Sequence, residues 1–192
     1  RILDIPYKRT PKPLFGYLTH DEILKVFASV DLKRKEGFRD YAMLHLLFDS
    51  GARAHEIAHM KMEHFEASEM RIGILGKGNR FRIVQLWPRT ADLIRHYIED
   101  HRETPATAYR DRLFINQRRE GFTRHGIYRI CDKHLKKVLP ENRLKNLHSA
   151  HCFRHSCAIH MLMEGKPVSD IKTHLGHEDI SSTMIYLRLD LS

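Results

Sequence analysis

One stretch of this chain, between residues 70 and 86, breaks from the helical patterning of the segments around it. There, Met70 to Leu75 and Arg80 to Leu86 read as two strands. They flank Gly76-Lys77-Gly78-Asn79, a glycine-rich turn of the kind that closes an antiparallel hairpin. A chain patterned this way is expected to be mainly α with one small antiparallel β-sheet, an α+β fold.

The helical segments carry their own start and stop signals. Thr19-His20-Asp21-Glu22 is a capping box that opens a helix with Ile23, Val26 and Phe27 on one face. Tyr41, Leu44, Leu47 and Phe48 mark a mostly apolar helix, stopped at Asp49-Ser50-Gly51. A short helix follows from about Ala54 to His59. Pro88 suits the first turn of a helix that carries Leu93, Ile94, Tyr97 and Ile98. Leu113-Phe114-Ile115 reads as a short third strand. Thr123 caps a helix running to about Lys137, and Ser149 to Glu164 form another, ended by Gly165 and Pro167. Two short helices close the chain, broken at Gly176.

The length of 192 residues suits one domain with a full core, or one and a small appendage. Residues 1–17 carry Pro6, Pro11 and Pro13 among basic residues and read as an extended lead-in, a linker from a missing N-terminal domain. Residues 18–192 then form the domain. Lys and Arg number 33 against 24 Asp and Glu, a net charge of +9 with histidine neutral, which favours a polyanionic partner. No apolar run approaches a membrane span, and no signal peptide opens the sequence. Cys131, Cys152 and Cys157 are too few and too odd in number for a disulfide framework, so a reducing cytoplasm is expected.

The chemistry concentrates near the end. His151-Cys152-Phe153-Arg154-His155 is followed by Gly176-His177 and then Tyr186, which stands 32 residues after Arg154 and nine after His177. Arg53 and Lys77 lie upstream. Arginines can clamp phosphate oxygens bidentately, and tyrosine can act as a covalent nucleophile. With no carboxylate cluster for a metal, this set points to metal-free chemistry on a phosphodiester. Each element alone is weak. His151 and Arg154 share a helix face, which an ordinary amphipathic helix would also provide. Lys77 alone would be an exposed turn lysine, and its glycines lack the Walker A pattern.

Together these elements resemble the tyrosine recombinases, the phage integrase family. Gly51-Ala52-Arg53-Ala54-His55-Glu56 is similar to the family's first arginine box, and Gly76-Lys77-Gly78-Asn79-Arg80 to its lysine hairpin. His151-Cys152-Phe153-Arg154-His155 resembles its His-x-x-Arg-His box. Leu175-Gly176-His177-Glu178-Asp179, then Ser181 to Tyr186, resembles its closing histidine and tyrosine box. Order and spacing match across about Thr19 to Leu187.

The resemblance implies a tyrosine recombinase catalytic domain that cleaves and rejoins DNA strands through a 3′-phosphotyrosine. Tyr186 would be the nucleophile. Arg53 and Arg154 would hold the non-bridging phosphate oxygens, and Lys77 would protonate the leaving 5′-oxygen. His151 would assist proton transfer at the tyrosine, and His177 would hydrogen-bond the phosphate. Glu56 would be a support, and His155 buried packing. Neither metal nor other cofactor is implied. The implied partner is double-stranded DNA, bound by a homo-tetramer of the full-length protein on two duplexes. His55 departs from the family pattern, standing where a helix-capping Ser or Thr is usual; histidine caps poorly. Arg124, at the start of the Thr123 helix, is the expected base-edge contact, with Arg118 and Arg119 on phosphates.

Other readings compete. His55-Glu56-Ile57-Ala58-His59 matches the zinc-protease motif His-Glu-x-x-His. The extended motif wants glycine and histidine where Met62 and Phe65 stand, and Glu66 and Glu69 are too near to supply the usual third ligand. Cys152, His155, Cys157 and His160 spread around one helix and fit no common zinc spacing. A DNA-binding regulator without catalysis would have little use for Tyr186 in this register. A type IB topoisomerase shares the chemistry, but the boxes favour a recombinase.

Overall fold

The computed structural model describes residues 16–184 and Tyr186, with Lys77 described in its backbone alone. The expected lead-in over residues 1–17 therefore falls largely outside the described residues. In chain order the helices are α1 (His20–Ala28), α2 (Lys35–Ser50), α3 (Ala54–His59), α4 (Pro88–His96), α5 (Arg124–Val138), α6 (Glu141–Leu144), α7 (Ser149–Met163), α8 (Val168–Leu175) and α9 (Ser181–Met184). The strands are β1 (Phe65–Glu66), β2 (Arg71–Leu75) and β3 (Phe81–Gln85).

The cap signals act as read. The Thr19 hydroxyl accepts from the Glu22 N–H at 3.3 Å while the Glu22 carboxylate accepts from the Thr19 N–H at 2.9 Å. Thr123 accepts from the Gly126 N–H at 3.1 Å to open α5, and Pro88 occupies the first turn of α4. The expectation of a weak cap at His55 is corrected: position 55 lies inside α3, whose N-cap is Arg53. The Glu56 carboxylate accepts from the Arg53 N–H at 2.8 Å and satisfies that end instead.

Helix α2 is buried on nearly all sides, as a central helix must be. It packs against α1, α3, α4 and α7, while α5 packs on α1, α3 and α7. Its buried Asp40 ties it to α5. The carboxylate accepts from Arg39 at 2.7 Å, from Lys133 at 2.9 Å, and lies 3.2 Å from His134 Nε2. Burial pushes this acid up, but His134, Arg39 and Lys133 together hold it down at about 2.

The sheet is antiparallel in the order β1-β2-β3, with Ile72 opposite Val84, Ile74 opposite Arg82 and Leu75 opposite Phe81. The third strand is Phe65–Glu66, not Leu113–Ile115. The Leu113 N–H donates to the Met60 carbonyl at 2.9 Å and the Ile115 N–H to the Tyr97 hydroxyl at 3.1 Å. These residues stitch a buried loop to the core through isolated bridges, Lys61 with Arg112 and Ile115 with Gly121, which do not extend into a strand. Helix α6 had no signal in the sequence; Arg143 fixes it to α1 by two bonds to Glu22, at 2.8 and 2.9 Å.

Candidate active site

Two left-handed glycines bring distant segments together. Gly51 ends α2 at φ 58° and Gly176 ends α8 at φ 66°, a conformation that glycine adopts without steric cost. A Cβ on Gly51 would lie 2.3 Å from Leu175 Cδ2, so only glycine lets the α2–α3 corner meet the end of α8.

Arg154 bridges that meeting point from α7. Its side chain is buried, and the guanidinium donates to the Gly51 carbonyl at 2.5 Å and to the Leu175 carbonyl at 2.8 Å. Two backbone carbonyls thus fix its plane. Burial, then the nearby charge of Arg53, push Arg154 down to about 10. It stays cationic at neutral pH.

Glu56 is 3% exposed and meets two arginines. Arg53 donates to it at 3.1 Å, and Arg82 donates to both its oxygens, at 3.2 and 2.9 Å. Burial alone would raise this carboxyl; Arg82, then Arg53, outweigh it and keep Glu56 ionised. Two guanidiniums therefore bind one carboxylate, and Arg154 feels its charge as well. The surplus positive charge is suited to a phosphoryl group.

Tyr186 completes the group. It is 5% exposed, and its phenol oxygen lies 2.9 Å from His155 Nδ1. Burial pushes the phenol up to about 12, against the pull of Arg154 and Arg53. Burial, then His151 and Arg154, push His155 down to about 4, so it is neutral at pH 7. His177 stacks on Tyr186 with ring centroids 6.5 Å apart, and its Nδ1 lies 2.7 Å from Thr183 Oγ1. Burial, then Arg154, push His177 also to about 4.

His155, expected as packing, is thus the histidine against the phenol. His151 lies one turn earlier with its ring 6.3 Å from that of Tyr128, and feels Arg154, His148 and Arg53. The Lys77 side chain lies outside the described residues. Its backbone sits at the tip of the β2–β3 hairpin, where Gly78 has φ 73°. Arg124 is the exposed first residue of α5, a helix that packs on α3. Arg118 and Arg119 are exposed on the preceding loop, beside a hollow they share with Arg110; Arg119 donates to the Thr104 carbonyl at 2.7 Å. Arg82 was not singled out from the sequence.

The metal readings do not fit the geometry. Glu56, the would-be base of a zinc protease, is bound to Arg53 and Arg82, and His59 Nδ1 lies 2.8 Å from the His55 carbonyl of its own helix. Among the described residues, the side chains that gather as a possible ligand group are the exposed His96, Glu99 and Asp100, which include neither His55 nor His59. Cys152 and Cys157 are buried thiols donating to the Ser149 and Asp49 carbonyls. Among the described residues no helix is long and apolar enough to cross a membrane.

The family model described as "Phage integrase family" matches residues 16–192. The chain belongs to the phage integrase family. One curated relative from this family, the tyrosine recombinase XerD of Listeria innocua serovar 6a, is 33% identical over 187 residues, covering 96% of this chain and 62% of the relative. The chain therefore spans less than two thirds of that relative's length. Among solved structures, the XerA recombinase superposes with a TM-score of 0.78 at 26% identity, over 94% of this chain and 63% of XerA. The XerH site-specific recombinase, in a post-cleavage complex with its palindromic difH substrate, gives a TM-score of 0.78 at 23% identity, over 93% of this chain and 51% of XerH. The XerH likeness bears on the fold alone.

Proposed function

We propose that this chain is the catalytic domain of a site-specific DNA recombinase or integrase that cuts and rejoins strands through a 3′-phosphotyrosine. The observation that carries this reading is the buried Tyr186 phenol, 2.9 Å from His155 Nδ1 and stacked with His177, on a chain whose Arg154 is fixed by the carbonyls of Gly51 and Leu175, near Arg53 and His177 in sequence. Membership of the family supports it, as do the likenesses to the tyrosine recombinase XerD and to the XerA recombinase.

In the proposed step Tyr186 Oη attacks the scissile phosphorus. A tyrosyl O–P bond forms and the P–O5′ bond breaks. Arg53 and Arg154 stabilise charge on the non-bridging oxygens, where fixed cations contribute most. His177 donates to one of those oxygens. The phenol proton passes to neutral His155, with His151 assisting one turn away, and the 5′-oxygen takes a proton from Lys77. A positioned acid of this kind contributes roughly 10²–10⁴ in rate. The phosphotyrosine keeps the energy of the bond it replaces, so rejoining needs no metal or nucleotide. Attack by the 5′-hydroxyl of a second duplex gives the recombinant strand and frees Tyr186.

The net charge of +9 supports DNA as the partner, with Arg124, exposed at the start of α5, reading a base edge and Arg118 and Arg119 on phosphates. Recombination between two duplexes calls for a homo-tetramer of the full-length protein, and the cytoplasm holds its DNA. The test is strand exchange. The protein is incubated with two labelled duplexes carrying a site selected from a random-sequence pool. Recombinant strands are expected. Nicking without exchange would indicate a topoisomerase, and binding without cleavage a regulator.

A further inference from the structure

We propose that Arg82 is a positioning residue of the strand-transfer site, a buried crossbar that holds its separate segments in register. The inference rests on the proposed function. Arg82 lies in β3 opposite Ile74 and points inward, its side chain 12% exposed. Its Nη1 and Nη2 donate to the two oxygens of Glu56, at 3.2 and 2.9 Å. Its Nε donates to the His174 carbonyl at the end of α8, at 3.0 Å. One guanidinium therefore joins β3, α3 and α8, which come from three separate parts of the sequence.

Four of the proposed reacting residues, Arg53, His177, Lys77 and Arg154, have a link to this guanidinium or to the segment it holds. Glu56 carries the effect to Arg53, whose backbone N–H and guanidinium both bind the same carboxylate. Gly176, one residue before His177, lies on the Arg82 side chain so closely that a Cβ there would sit 3.0 Å from Cδ and Nη1. Gly76, one residue before Lys77, faces the same ion pair: a Cβ on it would lie 3.3 Å from Glu56 Oε1 and 3.7 Å from Arg82 Nη1. Arg154 binds the next carbonyl of α8, that of Leu175. The two arginines thus satisfy adjacent carbonyls at a helix C-terminus, where cations are favoured.

Arg82 lies behind Glu56 in this arrangement, so it acts on the reaction through Arg53, Lys77 and His177. Lysine cannot replace it. A compact ammonium does not present the planar fork needed to bind both carboxylate oxygens and a carbonyl at once. A misplacement of about 1 Å in a reacting group can cost 10²-fold in rate.

The experiment compares the protein with Arg82→Lys, Arg82→Met, the pair Glu56→Met with Arg82→Met, and the surface control Arg95→Met. The probe is a nicked duplex carrying the site that the unaltered protein selects from a random-sequence pool. Read out are thermal unfolding, affinity for that duplex, and the single-turnover rate of covalent adduct formation at saturating DNA. We expect Arg82→Met to lose about 100-fold in rate with affinity within a few-fold of the parent, and Arg82→Lys to fall between. The double variant removes both buried charges, so it is expected to regain stability but not rate. Arg95→Met should match the parent. If Arg82→Met fails to fold, Arg82→Lys and the double variant decide. A parental rate in any folded Arg82 variant, or a loss that only tracks the unfolded fraction, would overturn the inference. Absence of adduct from the unaltered protein would instead overturn the proposed function, and this inference with it.

Discussion

The Nδ1 atom of His155 lies 2.9 Å from the phenol oxygen of Tyr186, although the two residues come from different helical segments of the chain. This contact joins α7 to the segment after α9 and buries the phenol beside Arg154. Burial holds the phenol up at about 12 and the imidazole down at about 4, so both groups are neutral over the whole physiological range. The free protein thus keeps its proposed nucleophile protonated. In the proposed step the phenol proton therefore leaves as the O–P bond forms, not before it.

That state can be read by ultraviolet titration. An ordinary phenol ionises near 10. The difference in phenolate absorbance between the protein and Tyr186→Phe is expected to stay near zero through pH 10 in the absence of DNA. A full tyrosine's worth of phenolate appearing near pH 10 would contradict the buried, His155-bound phenol.

Gly51 is expected to tolerate no side chain. Gly51→Ala places a methyl 2.3 Å from Leu175 Cδ2 on a backbone at φ 58°. The expected cost is about 1–3 kcal/mol, measured by urea unfolding. The Gly51 carbonyl also anchors Arg154, so adduct formation should fall by more than the folded fraction does. Unchanged stability would mean that α8 can retreat freely.

Asp49 gives a pH signature. Its carboxylate accepts from the Trp87 N–H at 2.8 Å, but burial dominates and raises the carboxyl from 3.8 to about 6. The folded state therefore binds this proton more tightly than the unfolded chain does. Its contribution to stability is fully present below about pH 4 and is lost as pH rises through about 6, on the order of 3 kcal/mol in all. Asp40 has the opposite sign: held down at about 2, it stabilises above pH 4, and that stabilisation is lost as pH falls through 2. Asp49→Asn should flatten the fall in stability between pH 4 and 6 as followed by urea unfolding. A profile identical to the parent's would contradict the raised carboxyl.

Lys77 is separated from Tyr186 by leaving-group chemistry. If Lys77 only protonates the 5′-oxygen, Lys77→Ala should cleave a duplex with sulfur at the bridging 5′ position, because a thiolate leaves without a proton. Its loss on ordinary DNA should be roughly 10²–10⁴-fold. Parental cleavage of ordinary DNA by Lys77→Ala would reduce Lys77 to a turn residue.

Much of this site could be read from the sequence because its residues sit in short runs at fixed spacing. Arg53 with Glu56, and His151 with Arg154, are local patterns on single helices. The residues that escaped depend on partners far along the chain. Arg82 looks like any basic residue in an alternating strand until the register with β2 turns it inward to Glu56 and His174. His155 sits between the polar and apolar faces of α7, and its partner lies 31 residues on. Leu113–Ile115 is apolar enough for a strand, but a buried loop has the same composition. Helix α6 is four residues long, too short for a periodic signal.

The most direct measurement is the identity of the residue joined to DNA. The protein is incubated with a nicked duplex carrying its selected site, in excess EDTA, and the covalent adduct is digested and sequenced by mass spectrometry. The expected result is a nucleotide 3′-phosphate on Tyr186, formed at the same rate with and without the chelator, and no adduct from Tyr186→Phe or Arg154→Ala. An adduct on another residue, an adduct that survives Tyr186→Phe, or cleavage abolished by EDTA and restored by zinc or magnesium would contradict the metal-free tyrosine mechanism.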